Sequence, residues 1–505
     1  MFKTVKGTIN YMQTSFSGFE AARQALSASQ TALSITSQNI ANASTPGYSR
    51  QRIILTSVGP DTGSNKYIVN QTGVGQGVAI SGVQQIRDNF LDVRYRSENS
   101  SSSMWDNLSS SLSQVEDVFN EFSSDTLTGL SGQFSTLISN LKQMQTTPSD
   151  SNMAAVIKNS VDSICQTIKS DNSLLTALSD QIKGDLQITI DGTSSAGSSG
   201  NGGLNSTLKN ISTLNQQIAV YEVSGQPAND LRDQRNVLLD QLSSQADINV
   251  IPQDNGMVSV ALKNDITHML ISADNVVSKL KLSVDQKTVQ WQDDSSNANV
   301  TGGKITASLQ IINGDGTNSG ANGELGIPAM QNKLNAFVTG FMTQINGIAT
   351  KYPADAATGF AGGQALLKGT DASDISLSDA WTADTALITK NYPNLDTGTY
   401  AAQFISALKQ NGTVTDNGNT YTGSLQDYSD TMTMDIANRL SYVKQMSSSS
   451  DSVAKNLDQQ RQSVSSVSID EEGINIIKYQ QSYNAAAKVM TVMGEMLDTL
   501  IKSFS

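Results

Sequence analysis

Near the start of the chain, apolar residues fall on a narrow stripe: Phe19, Ala22, Leu26, Leu33, Ile40 and Ala43, with Ser29 and Thr36 as its polar members. The last segment repeats the pattern with Ile476, Tyr479, Tyr483, Ala486, Met490, Met493, Leu497, Leu500 and Phe504. Alternating steps of three and four put these side chains on one side of an α-helix, as a seam for a second helix. Most of the chain separates the two seams, so its ends are expected to meet as a coiled-coil-like pair. A lone helical pair buries little surface, so such ends need neighbours. Periodicity alone leaves two readings open, the core of a monomeric bundle or a contact between subunits.

The first helix is expected over residues 17–44, ended by Thr45-Pro46-Gly47, because proline cannot continue a helix and Pro-Gly suits a turn. Residues 51–58 and 66–83 read as strands with Gly-rich turns. From residue 84 to about 186 the spacing is helical, with a break at Pro148, and residues 192–203 form a low-complexity loop. A helical pair follows, built on Leu204, Leu208, Ile211 and Ile218 and then Leu231, Leu238 and Leu242. The period next drops to two. Val258, Val260 and Leu262 follow an Asp254-Asn255-Gly256 hairpin signal, and Leu280, Leu282, Val289 and Trp291 extend the β region. Helical spacing returns over 327–350 and again from about residue 428 to the end, with a Ser-rich joint at 447–452. The expected fold class is therefore α+β and multidomain, with nested, discontinuous domains. Residues 1–62 with 462–505 make the terminal helical domain. Residues 63–245 with 327–350 and 428–461 make a helix-rich domain, 246–326 a β-rich domain, and 351–427 a variable outer insert.

Charge narrows the class of partner. The 505 residues carry 33 basic and 46 acidic side chains, a net −13, which disfavours nucleic acid as a partner. Residues 1–60 hold five basic residues against one acidic, and residues 466–505 hold three against five, so the two ends are weakly complementary. No run of apolar residues is long enough for a membrane span. The N-terminus lacks the apolar core and cleavage site of a conventional signal peptide, which taken alone points to the cytoplasm. One cysteine, Cys165, rules out an intrachain disulfide. It is expected as a small core residue beside Ile164 and Ile168. The single histidine, His268, has no second histidine or cysteine to share a metal with. No catalytic, cofactor-binding or metal-binding residue is assigned. Asp230, Arg232, Asp233 and Arg235 read as a solvated charge cluster or as an inter-domain contact, and Asp470, Glu471 and Glu472 after Ser468 as helix-start acids.

Residues 18–52, GFEAARQALSASQTALSITSQNIANASTPGYSRQR, resemble the N-terminal signature of bacterial flagellar axial proteins, the rod, hook and hook-associated family. The run Pro46, Gly47, Tyr48, Ser49, Arg50 and Gln51 after Asn39-Ile40-Ala41-Asn42 is most similar to hook-associated members. NDLRDQRNVLLDQL (229–242), the Gly-rich strand ending at Val83, and VSIDEEGINIIKYQQSYNAAAKV (467–489) agree in order. Gly473 and Cys165 depart from the pattern. The resemblance implies a structural, non-enzymatic protein with no cofactor. Such proteins form a short tube of about eleven copies at the hook–filament junction. The implied partners are further copies of itself, the hook protein, a second hook-associated protein, and an export chaperone on the C-terminal helix. The implied location is the extracellular flagellum, reached through the flagellar type III channel. The implied assembly interface comprises Phe19, Ala22, Leu26, Leu33, Asn39, Ile40, Asn42, Ile476, Tyr479, Tyr483, Met490, Met493, Leu497 and Leu500. Asn39 and Asn42 are expected to bond between subunits or to end the helix. Alternatives are a hook or distal-rod protein, or a secreted protein whose 351–427 insert binds or cleaves glycans.

Overall fold

The computed structural model describes the chain apart from residues 1–2, 59–76, 120–121, 124–125, 128, 149, 151, 193–201, 318–324, 357–358, 391, 393–395, 417–418 and 505. For residues 3–17 the backbone course alone is described. Helix α1 spans Lys3–Ala41, so it begins well before the residue 17 expected from the stripe. It ends in successive turns, with Thr45 N–H donating to Asn42 O and Tyr48 N–H to Thr45 O. Strands β1 (Gln51–Val58) and β2 (Gly77–Gln85) form an antiparallel pair with a register shift at Ile54/Leu55, and the expected strand residues 66–76 lie outside the described residues.

Helix α2 (Asn89–Phe119) leads through the two-residue strands β3 (Phe122–Ser123) and β4 (Thr126–Leu127) to α3 (Leu130–Thr146) and α4 (Met153–Asp191). Pro148 lies between the last two, where the break was expected. Helices α5 (Leu204–Val223) and α6 (Asn229–Gln245) are the expected pair. Strands β5 (Ile248–Pro252), β6 (Val258–Leu262) and β7 (Asp265–Ile271) form one antiparallel sheet, with the Asn255-Gly256 turn between the first two. Strands β8 (Leu280–Leu282) and β9 (Val289–Trp291) pair beside it. The stretch read as β-rich also contains a helix, α7 (Gly303–Asn313). Its buried Ile305, Ala307, Ile311 and Ile312 follow helical spacing, which eleven residues between glycines were too short to advertise.

Helix α8 (Ile327–Ala349) precedes the stretch expected as the variable outer insert, 351–427. That stretch resolves into β10 (Leu367–Lys368), β11 (Ser376–Leu377), α9 (Asp379–Ala383), α10 (Leu387–Lys390), α11 (Thr397–Lys409) and the hairpin β12 (Gly412–Asp416)–β13 (Asn419–Gly423). Its Trp381, Tyr400 and Phe404 join the same continuous core as Phe134, Phe337 and Phe341. Helix α12 (Leu425–Ser465) starts at a capping box, Ser424 with Asp427, and runs without interruption through 447–452. The Ser-rich joint expected there is absent: serine lowers helix propensity only modestly and does not remove a backbone donor as proline does. Helix α13 (Ile469–Phe504) closes the chain.

The arrangement is α+β, with small sheets against a helical body. Helices α2 and α12 run antiparallel, since Arg461 stacks on Tyr95 at one end and Trp105 meets Tyr442 further along. They carry the chain out of the core to the point where α1 and α13 begin their own pairing.

Candidate assembly interface and its joint

Two contacts fix how α1 and α13 pair. Gly18 faces Met493, so closely that a Cβ would lie 2.5 Å from its Cε, and Asn39 Nδ2 donates to Glu472 Oε2 at 3.3 Å. Ascending one helix descends the other, so they are antiparallel. On α1 the stripe linking these contacts is Gly18, Ala22, Ala25, Ser29, Ala32, Thr36 and Asn39, again in steps of three and four. The seam is thus turned from the sequence expectation. Ala22, Ser29 and Thr36 are shared, but Phe19, Leu26, Leu33 and Ile40 flank it, half-buried. Small residues let the backbones approach, and large ones at those positions would hold the helices apart. The polar members are satisfied within their own helix, Ser29 Oγ donating to Ala25 O (2.8 Å) and Thr36 Oγ1 to Ala32 O (2.9 Å). The signal was present as a heptad of Ala, Ser and Thr, masked by the larger residues beside it.

On α13 the side toward α1 carries Glu472, Ile476, Tyr479, Tyr483, Ala486, Met490, Met493 and Leu497. Glu472 and Ala486 are buried and the others half-buried. Leu500 is exposed, and the Phe504 side chain lies outside the described residues. A second face of the same helix exposes Ile474, Ile477, Val489, Val492 and Met496 to solvent. A helix apolar on two sides with a neighbour on only one has surface left to cover.

The pair is held to the body through Tyr48–Gln51. Gly47, at φ +80°, passes so close to α6 that a Cβ would meet Val237 Cγ2, which only glycine permits. Pro46 beside it is exposed. Ser49 then donates twice to Asp233 on α6, from its N–H (2.9 Å) and its Oγ (2.7 Å). Arg50 reaches the start of α13, with Nε on Glu472 (2.7 Å) and NH1 on Glu471 (2.6 Å), while its own N–H bonds Ser465 O at the end of α12. Gln51 Nε2 donates to Asp230 at 2.9 Å. Asn39 joins the two ends: its Nδ2 also donates to Gln51 O, and its Oδ1 accepts from Tyr48 OH and Gln51 N–H. Asn42 bonds back to Gln38 O and accepts from Thr45 Oγ1, within the helix end.

Further charges brace this joint. Arg87 grips Asp92 through Nε (2.6 Å) and NH2 (3.0 Å) and donates to Ser49 Oγ at 3.1 Å. Arg96 and Arg461 converge on Asp240, at 2.8 and 2.5 Å. Burial raises the Asp233 carboxyl above its ordinary value despite the lowering pull of Ser49 and Arg87, and burial with the nearby Asp230 pushes Tyr48 up to about 12. Of the two readings of the 230–235 charges, the contact between segments is the observed one for Asp230 and Asp233. Arg232 pairs with Glu222, and Arg235 bonds Asn215 and Gly256 O. Asp240 carries no local pattern that marks it, because its partners Arg96 and Arg461 are distant in sequence; Arg87 and Asp92 pair locally, and Arg87 reaches the distant Ser49 besides.

Among the described residues no group of three metal-ligating side chains comes together, and no helix is long and apolar enough to cross a membrane. Cys165 is fully buried, and burial pushes its thiol up to about 12.

Residues 112–352 match the family model described as the flagellar hook-associated protein FlgK helical domain. Residues 458–503 match the flagellar basal body rod FlgEFG protein C-terminal model, and 19–48 the flagella basal body rod protein model. Flagellar hook-associated protein 1 of Bacillus subtilis is 28% identical over 527 residues, covering 97% of this chain and 98% of that protein. Its Salmonella typhimurium counterpart is 25% identical, covering 95% and 98%. The solved flagellar hook junction protein FlgK from Burkholderia pseudomallei overlays 55% of this chain and 46% of its own, at 17% identity and a TM-score of 0.44.

Proposed function

We propose that the chain, which matches flagellar hook-associated protein 1 of two bacteria almost end to end, is a member of that family and a junction subunit, polymerising between hook and filament. The coarse role is that of a structural protein of the flagellum, exposed outside the cell. The finer reading adds a short tubular layer on the distal hook, contacts with the hook protein and a second hook-associated protein, export through the flagellar channel, and a chaperone on α13 before export.

One observation carries the polymerisation step. The outer face of α13 leaves Ile474, Ile477, Val489, Val492 and Met496 exposed while its other face is engaged by α1. Covering such side chains is worth about 1.5–3 kcal/mol each when burial is complete, and a ring of identical neighbours supplies that cover repeatedly. The rival hook or rod reading shares the terminal segments, but the matched helical domain is described for the hook-associated protein.

The test is a double substitution that spares the α1 seam, Val492→Asp with Met496→Asp. The monomer should keep its thermal unfolding profile, yet fail to form junctions by electron microscopy and fail to restore swimming to cells lacking the native protein. Normal junctions built from that variant would overturn the assignment.

A further inference from the structure

The hairpin β12–β13 leaves one strand edge without a mate. Strand β12 pairs with β13 in unbroken register from Gly412↔Gly423 to Asp416↔Asn419, and no third strand joins this sheet among the described residues. Asp416 and Asn419 are the last partners before the turn, so they exchange hydrogen bonds. The alternation of an antiparallel ladder then turns the N–H and C=O of Thr413 and Thr415 away from β13. A proline, a bulge or an outward charge commonly guards such an edge. Strand β12 has none of these, and its one charged residue, Asp416, is buried.

The free edge opens on a groove of about 630 Å³, within the range of ligand pockets. Residues 412–415 all line it, whereas β13 adds only Gly423, so the groove meets the edge of the hairpin rather than its face. Helix α8 forms the floor with the exposed ridge Thr339, Thr343 and Gly347. A Cβ built on Gly347 meets nothing within 4 Å, which leaves room there for a side chain from outside. Gln344 Oε1, beside Gly412, is buried with no hydrogen-bond partner among the described residues. The lining residues include no charged side chain.

We propose that this groove binds an uncharged peptide segment in extended conformation, which adds to the free edge of β12 as a third strand. Thr413 and Thr415 repeat the same donor and acceptor every two residues, about 6.8 Å apart along the strand, and an extended backbone carries its own groups at that repeat. A sugar chain has no matching ladder of N–H and C=O groups. Gln344 Oε1 supplies one more acceptor at the rim of the ladder. The uncharged lining disfavours a segment that would bring an unpaired charge into the groove. This inference concerns the hairpin and α8 alone, and it stands whether or not the junction reading does.

The test titrates the full-length chain with three probes. They are an acetylated, amidated pentapeptide of alternating threonine and valine, the same peptide N-methylated throughout its backbone, and maltohexaose. At saturation the parent peptide should slow amide exchange across residues 412–416 by at least about tenfold, and the other two probes should leave it unchanged. Gly347→Leu grows into open space and favours helix, so it should weaken peptide binding at least about tenfold without lowering the unfolding midpoint. No binding of the parent peptide, equal binding of its methylated form, or full affinity in Gly347→Leu would overturn the proposal. Binding of maltohexaose alone would refute it in favour of a saccharide site.

Discussion

Asn39 is almost wholly buried and uses all of its hydrogen-bonding capacity, donating to Gln51 O and Glu472 and accepting from Tyr48 and Gln51. Removing it strands partners inside the joint, at about 1–3 kcal/mol for each group left unpaired. Asn39→Ala should therefore speed amide exchange across the first turns of α13 while the α4 amides stay unchanged. Asp233 carries a pH signature. Its folded carboxyl titrates above the ordinary value because of burial. The folded chain thus holds a proton that the unfolded chain has released, so this contribution to stability grows as pH falls through that window and is lost as pH rises above it. Asp233→Asn should cost more stability at about pH 4 than at pH 7, judged against the parent by urea midpoints. Cys165 is simpler. Buried, with its thiol pushed up to about 12, it should resist alkylation in the native protein at mildly alkaline pH and react once urea unfolds the chain. Cys165 was legible beforehand, since it sits buried on the helical face where its spacing put it. Asp240 was not legible, since its partners Arg96 and Arg461 are brought near only by the fold.

At the scale of elements, long apolar periods were legible and short ones were not. The α13 stripe from Ile476 to Leu497 is the face turned to α1. On α1 the larger side chains misled by one position, because a close crossing selects for the smallest residues rather than the most hydrophobic. Ala32 is 2% exposed, so Ala32→Leu has no room and should cost about 1–3 kcal/mol, read as a lower unfolding midpoint for the terminal pair. Leu33→Ala, from a half-buried flank, should cost less. The α7 helix and the small elements between residues 351 and 425 escaped detection because each is short and holds only a few apolar residues. The buried Tyr400 and Phe404 lie on α11, which packs on α3 and α8, and Tyr400 also meets Tyr352 and Tyr392.

For the whole molecule, α1 and α13 are mutually dependent. They hold 39 and 36 residues, and the seam between them is narrow. Deleting residues 467–505 should lower the helical circular dichroism signal by more than the 36 residues removed, because α1 loses its wall and long isolated helices are marginal in water. A loss that matches only the deleted helix would show α1 to be sustained by β1 and β2. The core-forming residues from Leu108 to Val443 should keep their cooperative unfolding in either case.

The antiparallel pairing of the first helix with the last also sets an order of events. Residues 39 and 472 touch, yet more than 400 positions of chain lie between them. Closing a loop of that length in an otherwise unstructured chain costs about 5 kcal/mol in entropy. Docking α2 against α12 first, with Arg461 against Asp92, shortens the loop to the stretches 39–92 and 461–472, which favours body formation before terminal pairing. A chain emerging N-terminus first therefore presents α1 early and seals it last, and for that interval α1 is without its partner.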